Sequence, residues 1–148
     1  MNTMEKASFF GRLVAYILDG LIMSIIGLIG GLVIWGLFSL MGNSDSDFLV
    51  ILAIMLSCVL VIIILLIQFV YFGYFWSTSG QSLGMKLLNM KVVRQDGGEL
   101  SFLRAGLRGS LGYWISSLVF NLGFLWAAFD QEKETWHDKI FETWVVKT

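Results

Sequence analysis

Two long apolar runs, residues 13–41 and 48–75, constrain most strongly what this chain can fold into. The hydrocarbon core of a bilayer is about 30 Å thick, and a helix of about 20 apolar residues crosses it, so each run is long enough to span a membrane. The second run contains no charged residue, and the first contains one, Asp19. The runs therefore predict two membrane-spanning helices over about residues 12–40 and 48–75.

The composition excludes other classes of protein. Of the 148 residues 57% are hydrophobic, none is proline, and the formal net charge is −1. A nucleic-acid binder would concentrate basic residues on a soluble face, so we expect no nucleic-acid partner. The only cysteine, Cys58, lies inside the second run and predicts neither disulfides nor a zinc cluster. The first run is about twice as long as the apolar core of a secretory signal, so we expect it to stay in the protein.

Basic residues flank the two runs on one side only. Lys6 and Arg12 precede the first run, and the second run is followed by Lys86, Lys91, Arg94, Arg104 and Arg108. The short link between the runs, residues 42–47, holds two acids and neither lysine nor arginine. Cytoplasmic segments keep their basic residues. The pattern predicts an antiparallel helical hairpin in a membrane, with the N-terminus and the segment after the second span in the cytoplasm.

Local signals predict small elements after the second run. Residues 90–94 alternate imperfectly, as a short strand does, and Asp96-Gly97 is a turn signal that folds residues 99–101 back toward it. Ser101 is a candidate N-cap for a helix that begins at Phe102. The tail, residues 143–147, has β propensity and would pair with residues 90–94 if both lie on one side of the membrane. We therefore expect a small cytoplasmic β element.

A third hydrophobic region, over about residues 102–129, allows two interpretations. Glycines and Asn121 interrupt it, and basic residues lie both before and after it. A single crossing would place one basic flank outside, so a re-entrant or interfacial helix pair is favoured, and a full third crossing is the alternative. Strand pairing between residues 90–94 and 143–147 would support the re-entrant form. The predicted fold class is a single all-α integral membrane domain over residues 1–148.

The polar residues of the first span suggest an ion pair at its start and a polar site inside it. Arg12 and Asp19 share a helix face but lie about 10 Å apart along the axis, too far for a comfortable direct salt bridge. Arg12 either reaches toward lipid headgroups or pairs with Asp138, and Asp130 competes for that role.

Asp19 should lie about two turns deep, level with Gln68 of the second span, with Tyr71 one turn nearer the surface. One interpretation is a structural hydrogen bond between Asp19 and Gln68. The other is an ion or ligand site of Asp19, Gln68 and Tyr71, in which the carboxylate exchanges a proton or holds a positively charged solute.

Small residues at helical spacing form a stripe along the first span: Gly20, Ser24, Gly27 and Gly31. Such stripes let two helices approach closely. The spacing predicts helix packing there, either against the second span or against another copy of the chain.

The pair His137-Asp138 suggests a metal or catalytic site, since histidine is a common metal ligand and aspartate often orients one. The chain has one histidine and one cysteine, so we expect neither a metal site nor a cofactor. The chain has no nucleophile elbow, and residues 80–86 lack the spacing of a phosphate-binding loop. We therefore expect a protein that is not an enzyme.

In combination, these segments resemble the RDD family of small membrane proteins. The resemblance rests on residues 9–19 (FFGRLVAYILD), 80–87 (GQSLGMKL), 91–93 with Asp96-Gly97, 100–108, His137-Asp138 and 143–146. The family takes its name from one arginine and two aspartates, and the resemblance assigns these to Arg12, Asp19 and Asp138. Met85 departs from the basic residue often found beside the position of Lys86.

The resemblance implies a role in transport. The leading hypothesis is a bacterial inner-membrane protein that works in solute transport, as cation or proton exchange, with Asp19 handling the ion and Arg12 controlling its charge through Asp138. Because two spans are too small to enclose a pathway, this function requires a homo-oligomer in the lipid bilayer. The alternative is a non-transporting scaffold or accessory subunit. Headgroup binding by Lys86, Lys91, Arg94 and Arg104 is compatible with either function.

Overall fold

Two long helices dominate the computed structural model, which describes residues 5–41, 46–118 and 121–148. Helix α1 spans Phe9–Met41 and helix α2 spans Asp47–Thr78. In each helix only 6% of the most apolar window is buried, and side chains such as Ile25, Leu32 and Ile62 are exposed. Helices that expose apolar side chains over most of their surface require an apolar surrounding. Both predicted membrane-span helices are therefore present. Residues 42–45 of the predicted link lie outside the described part of the chain.

The chain divides into two compact units, Met1–Gly20 with Gln68–Thr148, and Leu21–Ile67. In the second unit, a Cβ added at Gly30 would lie 2.5 Å from Ile64 Cδ1, so Gly30 marks a contact between the two helices. Added at Gly27 or Gly31, a Cβ would meet nothing within 4 Å in the described part of the chain. Gly27 and Gly31 therefore show no close contact with the second span among the described residues, and the packing partner of the small-residue stripe stays open.

The other two residues of the stripe are Ser24 and Gly20. Ser24 donates to the carbonyl of Leu21 in its own helix, and Gly20, in the first unit, likewise has open space around it among the described residues. The interface with another copy stays a prediction.

The first unit is built from short elements that follow α2. They are α3 (Leu83–Leu87), β1 (Met90–Arg94), α4 (Phe102–Leu107), a π-helical turn (Arg108–Gly112), α5 (Tyr113–Ser117), α6 (Leu122–Leu125), a 3₁₀ turn (Trp126–Ala128), α7 (Trp136–Phe141) and β2 (Thr143–Lys147). Ser101 caps α4 as predicted, with its side chain accepting from the amide of Arg104. Ser82 caps α3. Thr135 and Asp138 form a capping box at the start of α7.

The predicted strands pair as one antiparallel sheet. The register places Met90 opposite Lys147 and Arg94 opposite Thr143. The chain before α1 joins the same sheet, since the amide of Ala7 donates to the carbonyl of Val145. The Asp96-Gly97 turn forms as predicted, with the amide of Gly97 donating to the carbonyl of Arg94. Residues 99–101 leave the turn without forming a third strand.

The third hydrophobic region packs inside this first unit. A Cβ at Gly109 would collide with Phe72, and one at Gly106 would lie 2.6 Å from the ring of Phe69. Gly123 lies against Ser116, so the helical runs on either side of residues 119–120 are in contact. Residues 119–120 lie outside the described part of the chain. The place of this region in the membrane stays a prediction.

Candidate functional site

Asp19 lies in a closed polar pocket near the cytoplasm-proximal end predicted for α1. Its side chain is buried, and its Oδ1 accepts from Tyr71 Oη and from the amide of Gly84, both at 2.9 Å. Its Oδ2 accepts from Ser82 Oγ at 2.5 Å. All three donors are neutral, and in the described part of the chain no lysine or arginine forms a salt bridge with Asp19. Among the described residues, the Asp19 carboxyl group is therefore held by neutral hydrogen-bond donors alone.

The loop between α2 and α3 delivers two of these donors. Ser82 Oγ caps α3 by accepting from the amide of Met85 and at the same time donates to Asp19. A Cβ at Gly84 would collide with the carbonyl oxygen of Ala15 and lie 3.1 Å from Asp19 Cγ, so only glycine permits this approach. The end of the loop and the start of α3 therefore cover the Asp19 carboxyl group.

Gln68 does not bind Asp19, contrary to one of the predicted interactions. Its Nε2 donates instead to the carbonyl of Gly109 at 2.9 Å. That carbonyl belongs to the π-helical turn, where the regular ladder of backbone hydrogen bonds is interrupted, so a side-chain donor is needed there. Tyr71, the third residue of the predicted site, does contact Asp19. The ion-binding role of these residues stays a prediction.

A second buried cluster surrounds Asp138. Arg12 forms a salt bridge with Asp138 Oδ2, and Arg108 Nη2 lies 2.5 Å from Oδ1. Arg108 is fully buried, and its Nε also donates to Thr143 Oγ1 at 3.0 Å. The competing acid, Asp130, pairs with Lys139 instead. The cluster therefore joins the start of α1, the π-helical turn, α7 and the start of β2 through one carboxylate.

Opposite effects act on the pKa of the Asp138 carboxyl. Burial disfavours the charged form, but the guanidiniums of Arg12 and Arg108 outweigh it and hold the pKa of Asp138 well below its usual range. Asp138 is therefore ionised at neutral pH, and one negative charge faces two positive ones.

His137 is a structural neighbour of this cluster. Its ring lies 2.9 Å from Ser116 Oγ through Nδ1 and 2.9 Å from Thr135 Oγ1 through Nε2. Burial is the largest cause that lowers the pKa of His137 well below its usual value, so the ring is neutral at pH 7. Both ring nitrogens are occupied by hydroxyls. In residues 5–41, 46–118 and 121–148, no group of three or more histidine, cysteine or acidic residues is placed to hold a metal.

Two of the four basic residues considered for headgroup binding are paired within the protein. Arg94 lies 2.6 Å from Asp96 and Arg104 lies 2.8 Å from Glu142. These exposed pairs are weak and leave both guanidiniums near solvent.

Four residues of the two clusters were not predicted from the sequence: Ser82, Gly84, Arg108 and Thr135. In the sequence, Arg108 was grouped with the basic residues that mark the cytoplasmic side. Its position inside an apolar, glycine-containing stretch was nevertheless a signal of burial. Thr135 had a clear signal, since threonine three residues before an acid is a capping-box pattern.

Two long apolar helices, a small two-stranded sheet and the buried carboxyl groups of Asp19 and Asp138 define a class of membrane-span protein. The chain belongs to the RDD family, whose model matches residues 6–142. It is 32% identical to uncharacterized protein YxaI of Bacillus subtilis, over 97% of this chain and 99% of that protein. It is 28% identical to uncharacterized protein YckC of the same species, over 98% of this chain and 87% of that protein.

A more distant likeness covers part of the chain. The proline-rich antigen homolog of Mycobacterium tuberculosis is 31% identical over 49% of this chain and 30% of that protein. No solved structure matches.

Proposed function

We propose that this protein works in solute transport across the bacterial inner membrane, as an exchanger of protons for a small cation at Asp19. One observation carries the proposal. Asp19 is buried in a membrane-span helix, and its three hydrogen-bond donors are neutral. A carboxylate in hydrocarbon costs about 2.5 to 3.5 kcal/mol on insertion scales, so a proton or a bound cation is expected to neutralise it.

The groups around Asp19 suit either occupant. Tyr71 and Ser82 present hydroxyl oxygens, which donate to a carboxylate or, after rotation, offer lone pairs to a hard cation. Arg12, held by Asp138, lies about 10 Å from Asp19 along α1 and adds a positive charge at the end of that helix. This arrangement supports Arg12 and Asp138 as positioning residues rather than as ion ligands.

The proposal places both termini in the cytoplasm. Strands β1 and β2 share one sheet, and this pairing supports a common membrane side for the segments before and after the third hydrophobic region. This pairing supports a re-entrant or interfacial course for that region, and the basic residues support the cytoplasmic side.

Transport by so small a chain requires several copies. The exposed face with Gly20, Gly27 and Gly31 supports a homo-oligomer, because open glycines allow close approach of another helix. We propose no enzymatic reaction, metal or nucleic-acid partner.

Cation-driven proton flux in proteoliposomes tests the proposal. Vesicles that contain a pH-sensitive dye are exposed to sodium, potassium or lithium pulses. We expect the wild type to release protons for at least one cation, the Asp19→Asn variant to lose this flux, and Asp47→Asn, at the exposed start of α2, to keep it. Circular dichroism and size-exclusion chromatography check folding and assembly.

A second candidate is a non-transporting scaffold or accessory subunit. Its specific support is that the hydrogen bonds of Asp19 also fix α3 to α1, a purely structural use. Absence of wild-type flux for every cation, with normal folding and assembly, would replace the transport proposal by this one.

A further inference from the structure

A cavity of about 160 Å³ lies in the first unit, beside the Asp138 cluster. Its apolar wall includes Leu13, Phe124 and Val145, and its polar wall includes Arg12 and Arg108. An apolar cavity of about 150 Å³ in a protein core is known to take up benzene. The space therefore suits a body of about six carbons with a polar group at one end.

Polar groups on the cavity wall lack partners. Tyr16 and Tyr113 both line the cavity, and neither hydroxyl has a hydrogen-bond partner among residues 5–41, 46–118 and 121–148. Tyr113 is only 9% exposed. Arg108 also lines the cavity, and its Nη1 is buried without a hydrogen bond in the described part of the chain. Buried donors are normally satisfied, so a missing acceptor is expected nearby.

The charges point to an acceptor that is an anion. Arg12 and Arg108 contribute two positive charges, and Asp138 supplies one negative charge to both. His137, also on the wall, has both ring nitrogens at neutral hydroxyls. One positive charge is left over in a buried place, and buried charge is costly unless it is paired. A ligand with one negative charge would balance the cluster.

We propose that the cavity binds a small carboxylate whose apolar body is about the size of a benzene ring. The carboxylate accepts from the Tyr16 and Tyr113 hydroxyls and faces the two arginines, while the apolar body lies against Leu13 and Phe124. Asp19 does not line the cavity, so this site is separate from the proposed exchange site and either proposal can fail alone.

Calorimetric titration of the purified full chain in detergent tests the site with benzoate and with benzyl alcohol, its neutral counterpart. We expect benzoate to bind once per chain and benzyl alcohol at least about tenfold more weakly, since a charge-assisted hydrogen bond contributes that much. Equal affinities, or no benzoate binding, would overturn the proposal.

Conservative variants locate the binding. Tyr113→Phe and Tyr16→Phe each remove one hydroxyl, and each should weaken benzoate binding about fivefold to tenfold. The matched control Tyr74→Phe removes an exposed hydroxyl outside the cavity and should change nothing. Unchanged benzoate affinity in both folded cavity variants would contradict the assignment.

A membrane lipid is the competing source of an anionic group. Titration is therefore repeated in nanodiscs of phosphatidylcholine and of phosphatidylglycerol. We expect equal benzoate affinity in both. Loss of benzoate binding in phosphatidylglycerol alone would overturn the small-carboxylate assignment and give the cavity to a lipid headgroup.

Discussion

Two buried carboxylates, Asp19 and Asp138, are stabilised by different kinds of neighbour. Asp19 accepts from three neutral donors, whereas Asp138 faces two guanidiniums and also completes a capping box. Replacing Asp19 leaves neutral groups that can find other partners. Removing the charge of Asp138 leaves two guanidiniums without their counter-charge, which costs far more stability.

Asp138→Asn should therefore destabilise the protein by about 3–5 kcal/mol. Chemical unfolding in detergent, followed by tryptophan fluorescence, measures the loss. The matched control is Asp96→Asn, which breaks an exposed pair with Arg94 and should cost less than about 1 kcal/mol. Similar losses in the two variants would show that the buried cluster contributes little.

His137 predicts a specific dependence of stability on pH. Burial lowers the pKa of His137 in the folded state, so below about pH 6.5 the unfolded chain takes up a proton that the folded chain does not. Stability should then fall as pH decreases from 6.5 to 5, with a slope approaching about 1.4 kcal/mol per pH unit. Asp138 stays ionised in this window because its own pKa is lowered.

Unfolding midpoints measured across this window test that slope in the wild type and in His137→Gln. The variant should lose most of the slope. A slope that persists in the folded variant would assign the effect to another group.

The sequence identified the important polar residues more reliably than it identified the residues that they contact. Asp19 was expected from its position inside the first span and Asp138 as the counter-charge of Arg12, and both are buried. Arg108 was missed because its role depends on α7, which lies about 30 positions later in the chain. The Asp19–Gln68 interaction failed because depth in a membrane follows from counting residues, whereas rotation of one helix about its axis depends on packing.

Among the elements, α3 is positioned by a single glycine. A Cβ at Gly84 would collide with the carbonyl oxygen of Ala15, so α3 can lie against α1 only without a side chain there. This contact brings Ser82 and the Gly84 amide to Asp19.

Gly84→Ala should destabilise the protein by about 1–3 kcal/mol, since the methyl group forces α3 away from α1. Gly36→Ala, outside the small-residue stripe and at a position where a Cβ has open space among the described residues, is the control. It should leave stability unchanged or raise it by about 1 kcal/mol, because alanine favours a helix. Thermal unfolding of the two variants gives the comparison, and an unaffected Gly84→Ala variant would show that the approach of α3 is loose.

Local sequence signals predicted the elements whose formation depends on short-range interactions. The Ser101 cap, the Asp96-Gly97 turn and the two strands depend on neighbours in sequence or on β propensity, and all are present. The small-residue stripe left its packing partner open, because spacing identifies a face of α1 but not the helix that lies against it. Gly30, which does contact Ile64, is one position outside that stripe.

In the whole molecule, the two-stranded sheet joins parts of the chain that are far apart in sequence. Strand β2 closes against β1 and against the chain that precedes α1, so both ends of the described chain meet at one place. Part of this was predictable from charge, because basic residues flank the third hydrophobic region on both sides.

Cysteine labelling tests this topology. Thr148→Cys, in a Cys58→Ser background, should react with an impermeant maleimide only in inverted vesicles, because the proposed topology has the C-terminus in the cytoplasm. Asp47→Cys, at the other end of the helices, should react in intact cells. Labelling of Thr148→Cys in intact cells would favour a full third crossing.

The most direct test of the transport proposal observes the Asp19 carboxyl itself. Infrared difference spectra of the protein in lipid are recorded as the transported cation replaces protons at constant pH. The proposal predicts loss of a protonated carboxyl band with gain of carboxylate bands, and the absence of both changes in Asp19→Asn. A wild-type spectrum that does not respond to any cation, or a response that survives in Asp19→Asn, would contradict exchange at this residue.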